Sequence, residues 1–170
     1  RYSVLEFGAE PDSSRIQTEA FQLAIDRVSE AGGGKICVPA GKYLTGAITL
    51  KSQVELHLES PDTWIQFVSE EPEKHYPLVF SHWEATPCYN YSPLIYAYHV
   101  QNIALTGKGT INGNGSKKFS AWADNQNIDK EILRRMGREN LPIYRRIFGE
   151  GFRLRPGFIE PYGCVNVRIE

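Results

Sequence analysis

Phe7-Gly8-Ala9-Glu10-Pro11-Asp12, the segment Thr18-Glu19-Ala20-Phe21-Gln22-Leu23-Ala24-Ile25-Asp26 and, much further on, Thr106-Gly107-Lys108-Gly109-Thr110-Ile111-Asn112-Gly113-Asn114-Gly115 decide how this chain folds. The first stretch ends a short alternating strand, Tyr2–Phe7, in a turn marked by Gly8 and Pro11-Asp12-Ser13-Ser14. Ser14-x-x-Gln17 fits a capping box, and Thr18 offers a cap one turn later. The spacing predicts a helix over about residues 15–31 that buries Phe21, Ala24, Ile25 and Val28, stopped by Gly32-Gly33-Gly34. One amphipathic helix ahead of many strands suits a cap on the open end of a solenoid. The glycine-rich third stretch lacks the Gly-Lys-Ser/Thr ending of a phosphate cradle and opens no helix, so it reads as tight turns between strands.

Outward from these landmarks the text is short strands. Lys35–Pro39, Tyr43–Leu50 and Gln53–Leu58 follow the helix. Gln53-Val54-Glu55-Leu56, Asn102-Ile103-Ala104-Leu105 and Asn166-Val167-Arg168-Ile169 share an amide, a β-branched residue, a variable one and an aliphatic one. Their unequal spacing predicts coils with insertions between matched strands, the amides stacking as rungs of a ladder. Pro72 to Pro93, rich in aromatics, Pro and His, reads as an ordered loop. Residues 116–155 read as a partly helical insertion: Asn127 is a candidate N-cap, Ile128, Ile132, Leu133 and Met136 share a face ending at Gly137, and Arg134, Arg135 and Arg138 point to solvent.

The chain of 170 residues carries a net charge of −1, which gives no global bias toward nucleic acid. The charge is uneven: residues 117–155 hold ten Lys/Arg against five Asp/Glu. No apolar run approaches the roughly 20 residues of a membrane span. Cys37, Cys88 and Cys164 are an odd set at wide spacing, which allows at most one bridge; Cys37 and Cys164 read as buried free thiols on strands. His57, His75, His82 and His99 have no metal-ligand spacing, and Asp12, Asp26, Asp62 and Asp129 show no acid–base pairing, so surface or turn roles are expected for all of them. No cofactor and no metal are expected.

Taken together, Phe7–Ala9, Ala20–Asp26, Gly32–Gly34, Val38–Gly41, Tyr43–Gly46, Trp83-Glu84, Asn90–Ala97, Arg155–Ile159 and Cys164–Val167 resemble the N-terminal portion of glycoside hydrolase family 28, the polygalacturonase-like, pectin-degrading enzymes. The resemblance covers nearly all of the chain apart from residues 116–154. It departs at Asn112, where the family usually has Asp, and at His82-Trp83-Glu84-Ala85, where relatives often have Arg-Trp-Glu-Gly. It implies an all-β fold, a right-handed parallel β-helix of the pectin-lyase-like kind with an N-terminal capping helix, residues 1–170 forming part of one domain. It also implies inverting hydrolysis of galacturonate-containing polysaccharide. The family's Asn-Thr-Asp-Gly, Asp-Asp, Gly-His-Gly and Arg-Ile-Lys strings do not occur here, so no catalytic residue is assigned in this chain. The resemblance further implies a secreted or periplasmic protein, monomeric at full length, with acidic plant polysaccharide as its partner.

Two residues stand out as substrate contacts. Trp83 could stack on a sugar ring or pack against the next coil. Arg155, directly before Pro156 and a strand, could pair with a galacturonate carboxylate. The rival readings are a β-eliminating pectate-lyase type, which needs calcium held by carboxylates, and a non-catalytic, tailspike-like binding protein. A solenoid stopped at Glu170 leaves an open coil end, which predicts that the isolated chain aggregates or folds poorly.

Overall fold

The computed structural model describes residues 1–116 and 118–170. The chain opens with β1 (Tyr2–Ser3), a 3-10 turn at Val4–Phe7 and α1 (Thr18–Glu30). A first coil follows: β2 (Gly34–Val38), β3 (Gly41–Thr45) and β4 (Ile48–Thr49). The second coil starts with β5 (Val54–Leu58) and β6 (Thr63–Phe67). It is then interrupted by α2 (Pro72–His75) and a hairpin of β7 (Leu78–Trp83) and β8 (Thr86–Tyr91), and completed by β9 (Ile95–Tyr98). The third has β10 (Gln101–Gly107) and β11 (Thr110–Asn112). A longer insertion carries α3 (Lys118–Ala121), α4 (Gln126–Arg138) and β12 (Ile147–Phe148), after which β13 (Ile159–Tyr162) closes the coil and β14 (Val165–Ile169) begins the next.

Equivalent strands stack in parallel. One sheet runs β1-β2-β5-β10-β14, a second β3-β6-β11 and a third β4-β9-β13, the architecture of a right-handed parallel β-helix. The register aligns like with like: Ile36, Leu56, Leu105 and Ile169 in the first sheet, Tyr43, Ile65 and Ile111 in the second, Ile48, Ile95 and Ile159 in the third. These ladders converge inside the coils, where Ile36, Leu56, Tyr43, Ile65, Ile48 and Ile95 are sealed from solvent. Each such aliphatic side chain contributes about 1.5–3 kcal/mol of burial.

The amide repeat marks a bend. Gly33, Gln53, Asn102 and Asn166 lead into the first-sheet ladder at matching positions, and all four have left-handed backbones, with φ of 102°, 67°, 55° and 59°. Glycine and asparagine tolerate that conformation best. At Gly33 the space is also missing: a Cβ there would lie 2.3 Å from that of Gln53.

α1 buries Phe21, Ala24, Ile25 and Val28 as its spacing predicts. Its start differs. Gln17 is the N-cap residue and makes no side-chain cap. Tertiary partners take the polar groups instead: the Gln17 amide bonds Glu10 and Asp12, Asp12 holds Ser14, and the Thr18 hydroxyl accepts the Gly46 N–H at 2.7 Å. Gln22 pairs both ways with the backbone of Thr49, so the helix bonds directly to the edge of the first coil.

The stretch Pro72–Pro93 is not a loop. β7 and β8 form an antiparallel hairpin turned by Glu84 and Ala85, both at positive φ (44° and 65°). β12 adds to β8 in parallel, so the two insertions share one sheet. Beneath it lies a small second core of Cys88, Leu133, Phe148 and Leu154, with Trp83, Ile132, Met136 and Phe152 against it. Ile128, expected on the buried face of α4, is 67% exposed, and Asp129 is buried in its place, accepting the Arg153 N–H at 2.6 Å. Asn125, not Asn127, precedes the helix, and Gly137 sits within its last turn against Thr86. Arg135 and Arg138 are exposed, but Arg134 is tied to Glu84 and Glu131. The three cysteines are free thiols; Cys37 and Cys88 are buried, while Cys164 is half-buried in the link between β13 and β14 rather than on a strand.

Candidate functional site

The two insertions fold over the third sheet and leave an open cleft of about 630 Å³. One wall is the end of the hairpin, from Ser81 to Glu84. The glycine-rich Asn112–Gly115 and Arg155–Phe158 with Glu160 line the rest of the cleft. Leu94 and Phe119 supply apolar lining. Close approach is needed here: a Cβ on Gly113 would lie 3.3 Å from both Leu94 and Phe158.

Trp83 and Arg155, singled out from sequence, line this same cleft. Trp83 is half-buried; its ring packs on the second core, and its indole N–H is buried without a partner among the described residues. Arg155 does not sit at the start of a strand, since β13 begins at Ile159. An extended stretch carries it, and its Nε donates to Gln126 of α4 at 3.1 Å. No carboxylate among the described residues forms an ion pair with it, so its charge stands uncompensated in the cleft.

The carboxylates of the cleft are occupied. Glu84, at the hairpin tip, pairs with Arg134 and lies 4.0 Å from Lys130. Glu160 accepts the Ser81 hydroxyl on both oxygens, at 2.8 and 3.1 Å, and faces His82 Nε2 at 3.7 Å. Its charge is felt nearby. Burial, with a further push from Glu160, raises the Cys88 thiol to about 12 and the Tyr96 hydroxyl well above its ordinary range. Asn90 donates to the Leu154 carbonyl at 3.2 Å, which holds the hairpin to the insertion. Asn112 accepts the Asn114 N–H at 2.9 Å, which closes a side-chain turn within the glycine-rich wall.

Such a site suits binding of an extended polar ligand that carries negative charge. It offers one unpaired guanidinium, half-exposed aromatic edges at Trp83 and Phe158, and amide groups. Among the described residues it offers no free pair of carboxylates for acid–base work. His82 and Glu160 escape a sequence reading because they lie on β7 and β13 and meet only when the hairpin folds across the third sheet. Among the described residues no group of three or more His, Cys, Asp or Glu is arranged to hold a metal ion.

No family model matches the chain. It is 31% identical to a probable polygalacturonase of Vitis vinifera over 99% of this chain and 41% of that protein. An exo-poly-alpha-D-galacturonosidase of Dickeya chrysanthemi is 31% identical over 72% of the chain and 21% of its own length. Among solved structures, a hyperthermoactive exopolygalacturonase from Thermotoga maritima superposes with a TM-score of 0.93 at 37% identity, over 99% of this chain and 40% of that one. The chain therefore spans about two fifths or less of the length of these relatives.

Proposed function

This chain is a homologue of the polygalacturonases, and on that premise we propose that it forms part of a glycoside hydrolase that cleaves galacturonate-containing pectic polysaccharide. The observation that carries this reading is the match to an exopolygalacturonase over 99% of the chain. The cleft supports it in kind: a polygalacturonate chain is a row of carboxylates, and Arg155 is the unpaired cation that would meet one of them through charge-assisted hydrogen bonds. Trp83 lends an aromatic edge to a sugar face.

Inverting hydrolysis needs one carboxylic acid to protonate the leaving oxygen and one carboxylate to activate water, roughly 6.5–9.5 Å apart. Glu84 and Glu160 are both engaged in ion pairs or hydrogen bonds, so neither is placed in those roles. The catalytic carboxylates come from residues outside this chain, and its own part is to bind and orient the substrate. α1, bonded along the first coil through Gln22 and Thr18, acts as a cap on the solenoid. A substrate of plant cell walls supports the reading of a secreted or periplasmic enzyme, which we take to be a monomer at full length.

Incubating the enzyme that contains this chain with polygalacturonate tests the reading. New reducing ends without an ultraviolet-absorbing unsaturated sugar are expected. Unsaturated product would mean elimination, and no cleavage at all would leave a binding protein.

A further inference from the structure

We propose that a basic groove between the hairpin tip and the C-terminal end of α4 is a second binding site, separate from the cleft, where Arg138 and Arg146 take carboxylates of an acidic polysaccharide. The functional reading above supplies the polysaccharide; the site itself stands on geometry. The groove has a volume of about 460 Å³. Arg134, Arg138 and Arg146 line it, and no carboxylate does among the described residues. Glu84 lines the cleft and the next three residues line the groove, so the two share the hairpin tip.

Arg146 carries the argument. It is only 8% exposed. Its Nε donates to the Leu141 carbonyl at 2.9 Å and its Nη1 to the Pro87 carbonyl at 3.3 Å. Its Nη2 has no hydrogen-bond partner among the described residues and is not sealed off, so this edge of the guanidinium opens to the groove. No carboxylate among the described residues pairs with Arg146 or with the exposed Arg138. A charge drawn largely out of water without a counter-ion is costly. The two carbonyls reduce that cost, and they also fix the orientation of the fork. A carboxylate in the groove would supply the missing charge and accept from the free edge.

The neighbours of Arg146 point the same way. Arg134 and Arg138 stand one turn apart on α4, a like-charge pair that disfavours the helix. Glu84 and Glu131 neutralise Arg134 but leave Arg138 as it is. The negative end of the helix dipole accounts for a cation in the last turn. It does not account for a buried second cation in the same groove. Arg138 also lines a neighbouring groove with Arg135 and the exposed Ile128, so the cations continue along α4. An extended polyanion suits such a row better than a single inorganic ion.

Electrophoresis of the enzyme that contains this chain, through gels with and without polygalacturonate, tests the proposal. Arg155→Gln should still be retarded by the polymer. Arg138→Gln should lose retardation by about threefold or more, and the double variant should lose nearly all of it. Retardation of Arg138→Gln equal to that of the wild type overturns the proposal. Arg146→Gln also removes the tie between Leu141 and Pro87, so the exposed Arg138 is the variant that decides. NMR of the wild-type Arg146 Nε–H needs no variant. Its resonance should shift with decagalacturonate and stay put with a neutral galactan oligomer of that length. A shift with inorganic phosphate but none with decagalacturonate would mean a small-ion site and overturns the proposal. Loss of all retardation in Arg155→Gln, with pectic cleavage by the wild type intact, overturns the proposal and leaves the functional reading standing. Neither retardation nor cleavage in the wild type overturns both.

Discussion

Asn166 donates its side-chain N–H to the Oδ1 of Asn102 at 2.6 Å, across 64 residues of sequence and one coil of the solenoid. Both backbones are left-handed at this point, and Gln53 and Gly33 continue the column below. The recurring position therefore holds a bend that most residues resist, and at Asn102 and Asn166 the amides also bond each other from coil to coil; no such side-chain bond joins Gln53 to Asn102 among the described residues.

Replacing Asn102 separates these contributions. Asn102→Ala forces an ordinary side chain into φ 55° and removes the bond, with an expected cost of about 1–2 kcal/mol. Asn102→Gly removes the bond but relaxes the backbone, and should cost less. Chemical denaturation of both variants reads the difference, and equal losses would mean that the bend is not what the amide is for.

Acid should loosen the outer face of the first sheet. Glu55 receives Thr106 at 2.7 Å, Lys35 at 2.9 Å and Arg168 at 3.3 Å, a knot that spans β2, β5, β10 and β14. Burial pulls its pKa upward, but these donors outweigh it and hold the group below the ordinary carboxyl value. A lowered folded pKa stabilises the fold above the unfolded value of about 4.3, and that stability disappears as the pH falls through the folded one. Glu55→Gln should cost about 1 kcal/mol near pH 7 and almost nothing near pH 3, when denaturation midpoints are compared.

The insertion should loosen independently of the coils. Leu133 is buried with Phe148, Cys88 and Leu154 in a core separate from the solenoid interior. Leu133→Ala should cost about 2–4 kcal/mol there. Hydrogen exchange should lose protection along α4 and β12 and keep it in β5 and β10. Uniform loss would mean that the two cores unfold as one.

How much of this was legible in the sequence varies with the kind of signal. The coil strands, the aligned repeat and the buried face of α1 follow from local periodicity, which the packing respects. The hairpin of β7 and β8 does not. Its turn uses Glu84-Ala85 at positive φ, where Asn-Gly is the familiar mark. Ile128 misleads because its helical spacing is right, yet Asp129 is drawn inward by the Arg153 N–H. At the site, Trp83 and Arg155 stand beside landmarks and can be picked out as candidates, whereas Ser81, His82 and Glu160 become neighbours only through the folding of the insertion across the third sheet.

The central claim is that this cleft holds an acidic sugar through Arg155. The most direct measurement is the affinity of the wild type and of Arg155→Gln for trigalacturonate and for a neutral trisaccharide of the same linkage, read by calorimetry at about pH 5.5. Selective binding of the acidic ligand by the wild type, weakened about tenfold or more in the variant, is the result predicted. Equal affinity for the two sugars, or a variant that binds as the wild type does, would contradict it.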